Sequence, residues 1–299
     1  MFLRLATLAV TLVFCGAHAD AQTEGETRRI VRAAPEPDWR PIAPENLLLI
    51  ETEKGTITVE LNPDFAPEHV ERMRKLAFGG IMHGQRFYRV IDGFVAQGGF
   101  EDEALMVDWP TLTNENERVY GGAGFVPLGN DDLFAPETGH IDGFPVGRSA
   151  ELQTEWLLHC PGAMAMARDT DPDSGSTEFY IVLDAQRYLD RNLTVFGRVI
   201  DGMEHVQAMK RGKREIESGV IQAPEQGDLI RSFRLASEMM EENRPHWEVM
   251  NSESELFEDF KTSRRVRDDP FFYRKPPEVL DICSISAPVR QVKPGDTPQ

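Results

Sequence analysis

Between Leu47 and Val199 hardly any apolar run lasts more than a few residues before Gly, Pro, Asn or Asp interrupts it. That rhythm restricts the body of the chain to short strands joined by tight connections. Leu47–Thr52 and Thr56–Leu61 flank Glu53-Lys54-Gly55, which reads as a hairpin with a glycine in its turn. Further strands are expected over 86–91, 94–97, 163–167, 179–183 and 195–199, with 229–235 as an addition. Helical spacing occurs in two isolated places. One opens at Pro67, carries Val70, Met73, Leu76 and Ala77, and stops at Gly79-Gly80; the other runs over 203–210 with Met203, Val206 and Met209 on one stripe. Many short strands with two separate helices predict a mainly β fold, a β-barrel with helices capping its ends.

The flanks differ from this body. Met1–Arg4 carries one positive charge, Leu5–Ala17 is almost wholly apolar, and two small-x-small sites follow at Ala17-His18-Ala19 and Ala19-Asp20-Ala21. This is the pattern of a secretory signal peptide over 1–21, too short to span a bilayer comfortably. Phe14 is too bulky for Cys15 to be a lipidation site. A periplasmic or secreted protein without stable membrane insertion is expected, with residues 22–45, polar and proline-bearing, as a flexible linker. Residues 100–158 read as a long loop insertion with two short strands. Residues 212–299 read as a C-terminal extension packing on the barrel. It contains a helix over 252–266 and a last strand over 281–289 that returns Cys283 to the body. Removal of the leader leaves Cys160 and Cys283, which in an oxidising compartment either pair or remain buried thiols. The net charge of −18 argues against a nucleic-acid partner, because phosphate contacts need clustered Lys and Arg. The sequence leaves the oligomeric state open.

Three segments carry chemistry. In Phe87–Gly99, Arg89 lies in a strand apolar on both faces. Strict alternation puts Phe87 and Ile91 on its side and Tyr88 and Val90 on the other. A guanidinium in such a strand must meet a carboxylate or line a cleft. In the second, Gly162–Asp169, a strand of Ala and Met leads through the polar turn Asp171–Thr177 into Glu178-Phe179-Tyr180-Ile181. Small residues at a strand end admit another chain, although Met and Ala also simply fill a barrel. The third, Tyr188–Met203, passes from loop to strand to helix.

In order and separation, these segments resemble the cyclophilin-type peptidyl-prolyl cis/trans isomerases. The family pattern F-H-R-x-I-x-G-F-x-x-Q-G-G falls on 87–99, S-M-A and S-Q-F-F-I on 165–167 and 177–181, and F-L-D with V-F-G-x-V-x-x-G-M on 188–203. The Arg168-Asp169 step looks most like the bacterial exported members. The resemblance covers about 47–211 and implies a closed antiparallel eight-stranded barrel, with an isomerase domain over 46–211. It also implies proline-containing unfolded or exported polypeptides as partners, and no metal or cofactor. By position, Arg89 is the expected catalytic residue, with Gln97 holding substrate backbone or steadying Arg89. Phe94, Val95, Tyr180 and Leu189 are the expected proline pocket, and Ala167 and Arg168 lie beside the preceding residue. Glu178 stands where the family has Gln, close enough to pair with or orient Arg89. Tyr188 and Leu193, the remaining expected substrate contacts, replace a Trp linked to cyclosporin sensitivity and a His, so weak cyclosporin binding is expected. A low-activity cyclophilin-fold peptide-binding or chaperone module, with Arg89 neutralised by Glu178, is the alternative.

Overall fold

The computed structural model describes residues 20–100, 102–121, 124–267 and 271–292. The expected leader lies outside them up to residue 19. Helix α1 (Asp20–Ala33) and strand β1 (Trp39–Pro41) come first, followed by the hairpin of β2 (Leu47–Thr52) and β3 (Thr56–Leu61). Helix α2 (Pro67–Ala77), β4 (Arg86–Val90) and β5 (Val95–Gly99) follow. The segment after β5 holds one helical turn, α3 (Glu103–Met106), and five strands: β6 (Arg118–Val119), β7 (Val126–Pro127), β8 (Glu137–Ile141), β9 (Phe144–Ser149) and β10 (Thr154–Leu157). Then come β11 (Ala163–Met166), β12 (Phe179–Val182), β13 (Val195–Asp201), α4 (Met203–Gln207) and β14 (Asp228–Leu235). The described chain ends with β15 (His246–Met250), α5 (Glu255–Arg265) and β16 (Val289–Val292).

Eight of these strands close a barrel in the order β11-β12-β5-β4-β14-β2-β3-β13, and every pairing is antiparallel. The hairpin shows why the strands form. Leu48 pairs with Val59 and Ile50 with Ile57, so one side of each strand presents branched apolar groups to the interior. Phe87, Phe179 and Phe233 fill the middle, with Phe87 edge-on to Phe179. Helix α2 leaves the end of β3 and buries Val70, Met73 and Leu76 at one mouth of the barrel. Helix α4 leaves the end of β13 and buries Val206 near the β2–β3 turn at the other. Gly202 makes that exit possible: its φ is +83°, and a Cβ there would lie 2.2 Å from the Thr56 carbonyl oxygen.

Several boundaries differ from expectation. The barrel is not complete at residue 211, because its eighth strand is β14, at 228–235. The residues expected as a loop over 100–158 fold into a five-stranded sheet, ordered β6-β10-β9-β8-β7. Its strands are short and carry Gly, Thr and Glu inward, so they show little apolar alternation. The expected linker is structured as well. Helix α1 packs on α5, and Trp39 and Ile42 are buried in a second core with Trp156, Trp247 and Phe257. Strand β1 joins β15 and β16 in a three-stranded sheet. The large apolar side chains of Trp39 and Ile42 outweigh the prolines there as a folding signal. The helix expected over 203–210 stops at Gln207. The strand expected over 281–289 is instead a 3₁₀ turn at Ile282–Ser284, with the strand following at Val289–Val292.

A third core joins the insertion to the outer face of the barrel. Val95, Ala163, Ala165, Tyr180 and Val195 point outward and meet Phe144, Val146 and Leu157 of the insertion sheet. This layer gives the functional surface a rigid back wall.

Candidate active site

Strand β4 breaks the alternation read from sequence. Arg86 pairs with Gly99 but Arg89 with Gln97, so β4 carries one residue more than β5 across this stretch. The bulge leaves Phe87 and Val90 both in the barrel interior and turns Tyr88 and Arg89 out together. The expectation that Phe87 shares the side of Arg89 is therefore corrected. A regular period-two strand would have sent the guanidinium and Tyr88 to opposite faces.

Arg89 is half-buried and held at two points. Its Nη1 donates to Gln97 Oε1 at 2.8 Å, and its Nε donates to the Ser218 carbonyl at 2.8 Å. Gln97 uses its other end to donate to Tyr88 Oη at 2.7 Å, and Tyr88 donates to Glu178 Oε1. The result is a line of polar groups, Arg89–Gln97–Tyr88–Glu178, along the top of β4, β5 and β12. Burial draws the Arg89 pKa below the usual guanidinium value, while Tyr88 and Glu178 favour the cation and Arg214 opposes it. Burial, then Glu178, pushes the Tyr88 phenol well above its ordinary range, so it stays a donor. Gly99, with φ at +137°, lets β12 approach closely, since a Cβ there would stand 2.8 Å from Glu178 Cα.

This line edges a cleft of about 290 Å³. Ten of the expected residues line it: Arg89, Phe94, Val95, Gln97, Ala167, Arg168, Glu178, Tyr180, Leu189 and Leu193. Strand β5 supplies Val95, β12 supplies Tyr180, and the 3₁₀ turn Arg187–Leu189 supplies Leu189. The Arg89 guanidinium carbon lies 5.9 Å from the centre of the Phe94 ring. Arg168 is tied to loop backbone, donating through Nε and Nη2 to the Asn192 carbonyl at 3.1 and 2.7 Å. A fixed cation beside an apolar floor suits a ligand that is apolar at its centre and polar along its chain.

Tyr188 does not line this cleft. It is 61% exposed and faces a separate surface depression with Arg187, Asp190 and Phe134. Its neighbour Leu189 turns inward because a 3₁₀ turn changes direction at each residue. Cys160 and Cys283 form a disulfide away from the cleft, with Cα atoms 4.9 Å apart. Sequence reasoning missed Met106, Asp169, Ser174, Ser176 and Thr177, which also line the cleft. All but Met106 fall in or beside the polar turn already singled out. Ser218 acts through its carbonyl, and no side-chain pattern reports that.

Comparison with known proteins places these features in a wider set. The family described as "Cyclophilin type peptidyl-prolyl cis-trans isomerase/CLD" matches residues 47–234. A "Probable peptidyl-prolyl cis-trans isomerase" of Brucella suis biovar 1 is 31% identical over 184 residues, 61% of this chain and 80% of the relative. "Peptidyl-prolyl cis-trans isomerase B" of Bacillus subtilis is 31% identical over 156 residues, 52% of this chain and 84% of its own. The crystal structure of cyclophilin AquaCyp293 from Hirschia baltica superposes with a TM-score of 0.70 at 29% identity, covering 87% of this chain and 96% of that one. That coverage reaches beyond the barrel into the added layers.

Proposed function

Because the chain belongs to the cyclophilin-type peptidyl-prolyl cis-trans isomerases, we propose that it turns X-Pro bonds in the cleft edged by Arg89, acting on exported polypeptides. The observation that carries this reading is the anchoring of Arg89 by Gln97 and the Ser218 carbonyl beside the apolar floor of Phe94, Val95 and Tyr180.

Resonance sets a rotation barrier of roughly 18–20 kcal/mol, and uncatalysed X-Pro exchange takes tens to hundreds of seconds. In the twisted state the prolyl nitrogen loses conjugation and becomes pyramidal and basic. A guanidinium placed beside that nitrogen stabilises the twisted state more than either planar isomer. An acceleration of a thousandfold asks for only about 4 kcal/mol. The two hydrogen bonds on Arg89 mean little reorganisation is needed when the amide twists. Phe94, Val95, Tyr180, Leu189 and Leu193 offer the proline ring an apolar seat, while Gln97 is available to the substrate backbone. No proton needs to move and no bond needs to break.

Exchange spectroscopy on an Ala-Pro peptide tests the role of Arg89. Wild type should accelerate exchange, and Arg89→Ala should lose about 10²–10³ of that acceleration, in the range of a lost electrostatic stabiliser. Equal rates for the two proteins would end the arginine mechanism.

Export is supported by the apolar leader at 5–17 and by the Cys160–Cys283 disulfide, since such bonds persist in oxidising compartments. Intact-mass measurement of the protein recovered from a periplasmic fraction should show a new N-terminus at residue 20 or 22. A full-length cytoplasmic chain would overturn this part of the reading. The binding-module alternative needs Glu178 to disable Arg89, yet that carboxylate accepts the Tyr88 hydroxyl. The active isomerase is therefore favoured.

A further inference from the structure

The Tyr180 hydroxyl points away from the cleft, into a line of buried polar groups that the proposed reaction does not use. Its oxygen lies 2.9 Å from His159 Nε2, and the two rings stack at 19°. His159 is fully buried, and its Nδ1 lies 3.1 Å from Asp190 Oδ1. The other Asp190 oxygen accepts Arg187 Nε at 2.5 Å. Arg187 then forks onto Asp132, donating from Nη1 and Nη2 at 3.1 and 3.0 Å. Asp132 belongs to the insertion, where its Oδ1 also takes the backbone N–H groups of Phe134 and Ala135.

The proton order follows from the end that is charged. Asp190 accepts from Arg187 through one oxygen, and its other oxygen accepts the Nδ1 proton of His159. Nε2 is then a bare acceptor, and Tyr180 donates to it. Burial pushes the Tyr180 phenol far above its ordinary range, which agrees with its donor role. The backbone adds to the same knot. His159 N–H donates to Asp190 Oδ1 at 2.8 Å, and Gln186 N–H donates to the His159 carbonyl at 2.9 Å. Leu189 lies between Gln186 and Asp190 in that turn. His159 therefore touches both supports of the pocket, the Tyr180 strand on one side and the Leu189 turn on the other.

We infer that His159 and Asp190 are positioning residues that set the separation of Tyr180 and Leu189, and that Arg187 and Asp132 extend this control into the insertion. The inference rests on the proposed reading of the cleft as the proline site. A fully satisfied buried network of this kind holds one geometry, because any displaced member leaves a desolvated partner. The insertion sheet is then part of how the pocket grips a substrate.

The test separates peptide binding from turnover, using Tyr180→Phe, Asp132→Asn and the double variant. Tyr180→Phe keeps the ring, and Asp132 lies well away from the cleft. Chemical-shift titration with an Ala-Pro peptide gives Kd, and exchange spectroscopy at saturation gives the bound-state rate. Each single variant should raise Kd roughly three- to tenfold, the range expected for one net hydrogen bond. The bound-state rate of Asp132→Asn should stay within about twofold, because Asp132 does not line the cleft and Arg89 is untouched. The double variant should be no weaker than the weaker single, since both act through one line. His159→Gln, which retains an acceptor and a donor, should restore part of what His159→Ala loses. Wild-type Kd in both Tyr180→Phe and Asp132→Asn, with or without a fall in Tm, would reduce the line to a structural feature and overturn the inference. If wild type itself binds the peptide without accelerating exchange, the isomerase reading fails while the Kd comparison still decides this one.

Discussion

Arg89 and Gln97 face each other as a cross-strand pair, and Arg89 Nη1 donates to Gln97 Oε1 at 2.8 Å across that rung. The pairing exists because the β4 bulge turns Arg89 out beside Tyr88. Gln97→Ala removes the partner but leaves the Ser218 carbonyl on Nε. Peptide exchange should therefore slow by about tenfold, less than for Arg89→Ala, because one of two anchors survives. The double variant should match Arg89→Ala alone. An additive loss would mean that Gln97 acts on the substrate independently of the arginine.

Glu178 makes a second, milder prediction. Its carboxylate accepts from Tyr88, and Glu178→Gln keeps an acceptor oxygen there. Its attraction for the Arg89 cation is a through-space effect at the rim of an open cleft, where water and salt screen it. Turnover of Glu178→Gln should stay within about threefold of wild type and lose its small difference as salt is raised. A tenfold gain in rate would show that the carboxylate restrains Arg89 after all.

The parts of this fold legible in sequence are those where one residue's environment repeats at a regular interval. Leu48, Ile50, Ile57 and Val59 alternate strictly, and their hairpin ends where their pattern ends. Val70, Met73 and Leu76 keep helical spacing, so α2 is equally plain. A period-two count puts Tyr88 on the wrong face, because the β4 bulge adds a residue that such a count does not contain. The insertion strands escaped because Gly139, Gly147 and Glu155 sit where an apolar residue would have marked an inner face. Glu155 is buried there because Arg118 and Arg148 both pair with it, and Arg118 stands 37 residues away, beyond any local window. The cleft was legible at most positions because those residues lie in three contiguous stretches. Tyr188 and Leu189 show the limit, since one step along a 3₁₀ turn separates surface from pocket.

The disulfide ties the C-terminal segment to the barrel across a sequence separation of 123 residues. Closing so long a loop restricts the unfolded chain, and removal of such a bond typically costs about 2–5 kcal/mol. Ile282 and Ile285, on either side of the bridge, are buried in the core shared with α5. The paired variant Cys160→Ser with Cys283→Ser should lose stability of that order in guanidinium denaturation. Its hydrogen exchange should quicken first at 280–287. Exchange from peptide titration should change little, because neither sulfur lines the cleft.

His140 sets a pH dependence that the cleft does not. It is fully buried in β8, edge-on to Phe257 at 5.1 Å, with Nε2 at 2.9 Å from the Ile285 carbonyl. Nδ1 has no hydrogen-bond partner among the described residues. Burial first, and then the charges of Arg198 and Lys261, lower its pKa from 6.5 to about 4. The folded protein therefore keeps His140 neutral, while the unfolded chain takes up a proton below 6.5. Between these values the unfolded state binds more protons, so stability falls as pH falls. The contribution is complete above pH 6.5, declines by about 2 kcal/mol at about pH 5, and reaches about 3 kcal/mol below the folded value. Urea denaturation near pH 7.5 and near pH 5 measures it, with His140→Leu as the comparison. The variant has no proton to gain at this position, so its stability should change less between the two conditions by about 2 kcal/mol. Equal changes in the two proteins would assign the acid sensitivity between these conditions to groups other than His140. The Asp132 carboxylate, held below its ordinary range by Arg187 against the opposing effect of burial, loses its advantage only at a lower pH and does not contribute to this comparison.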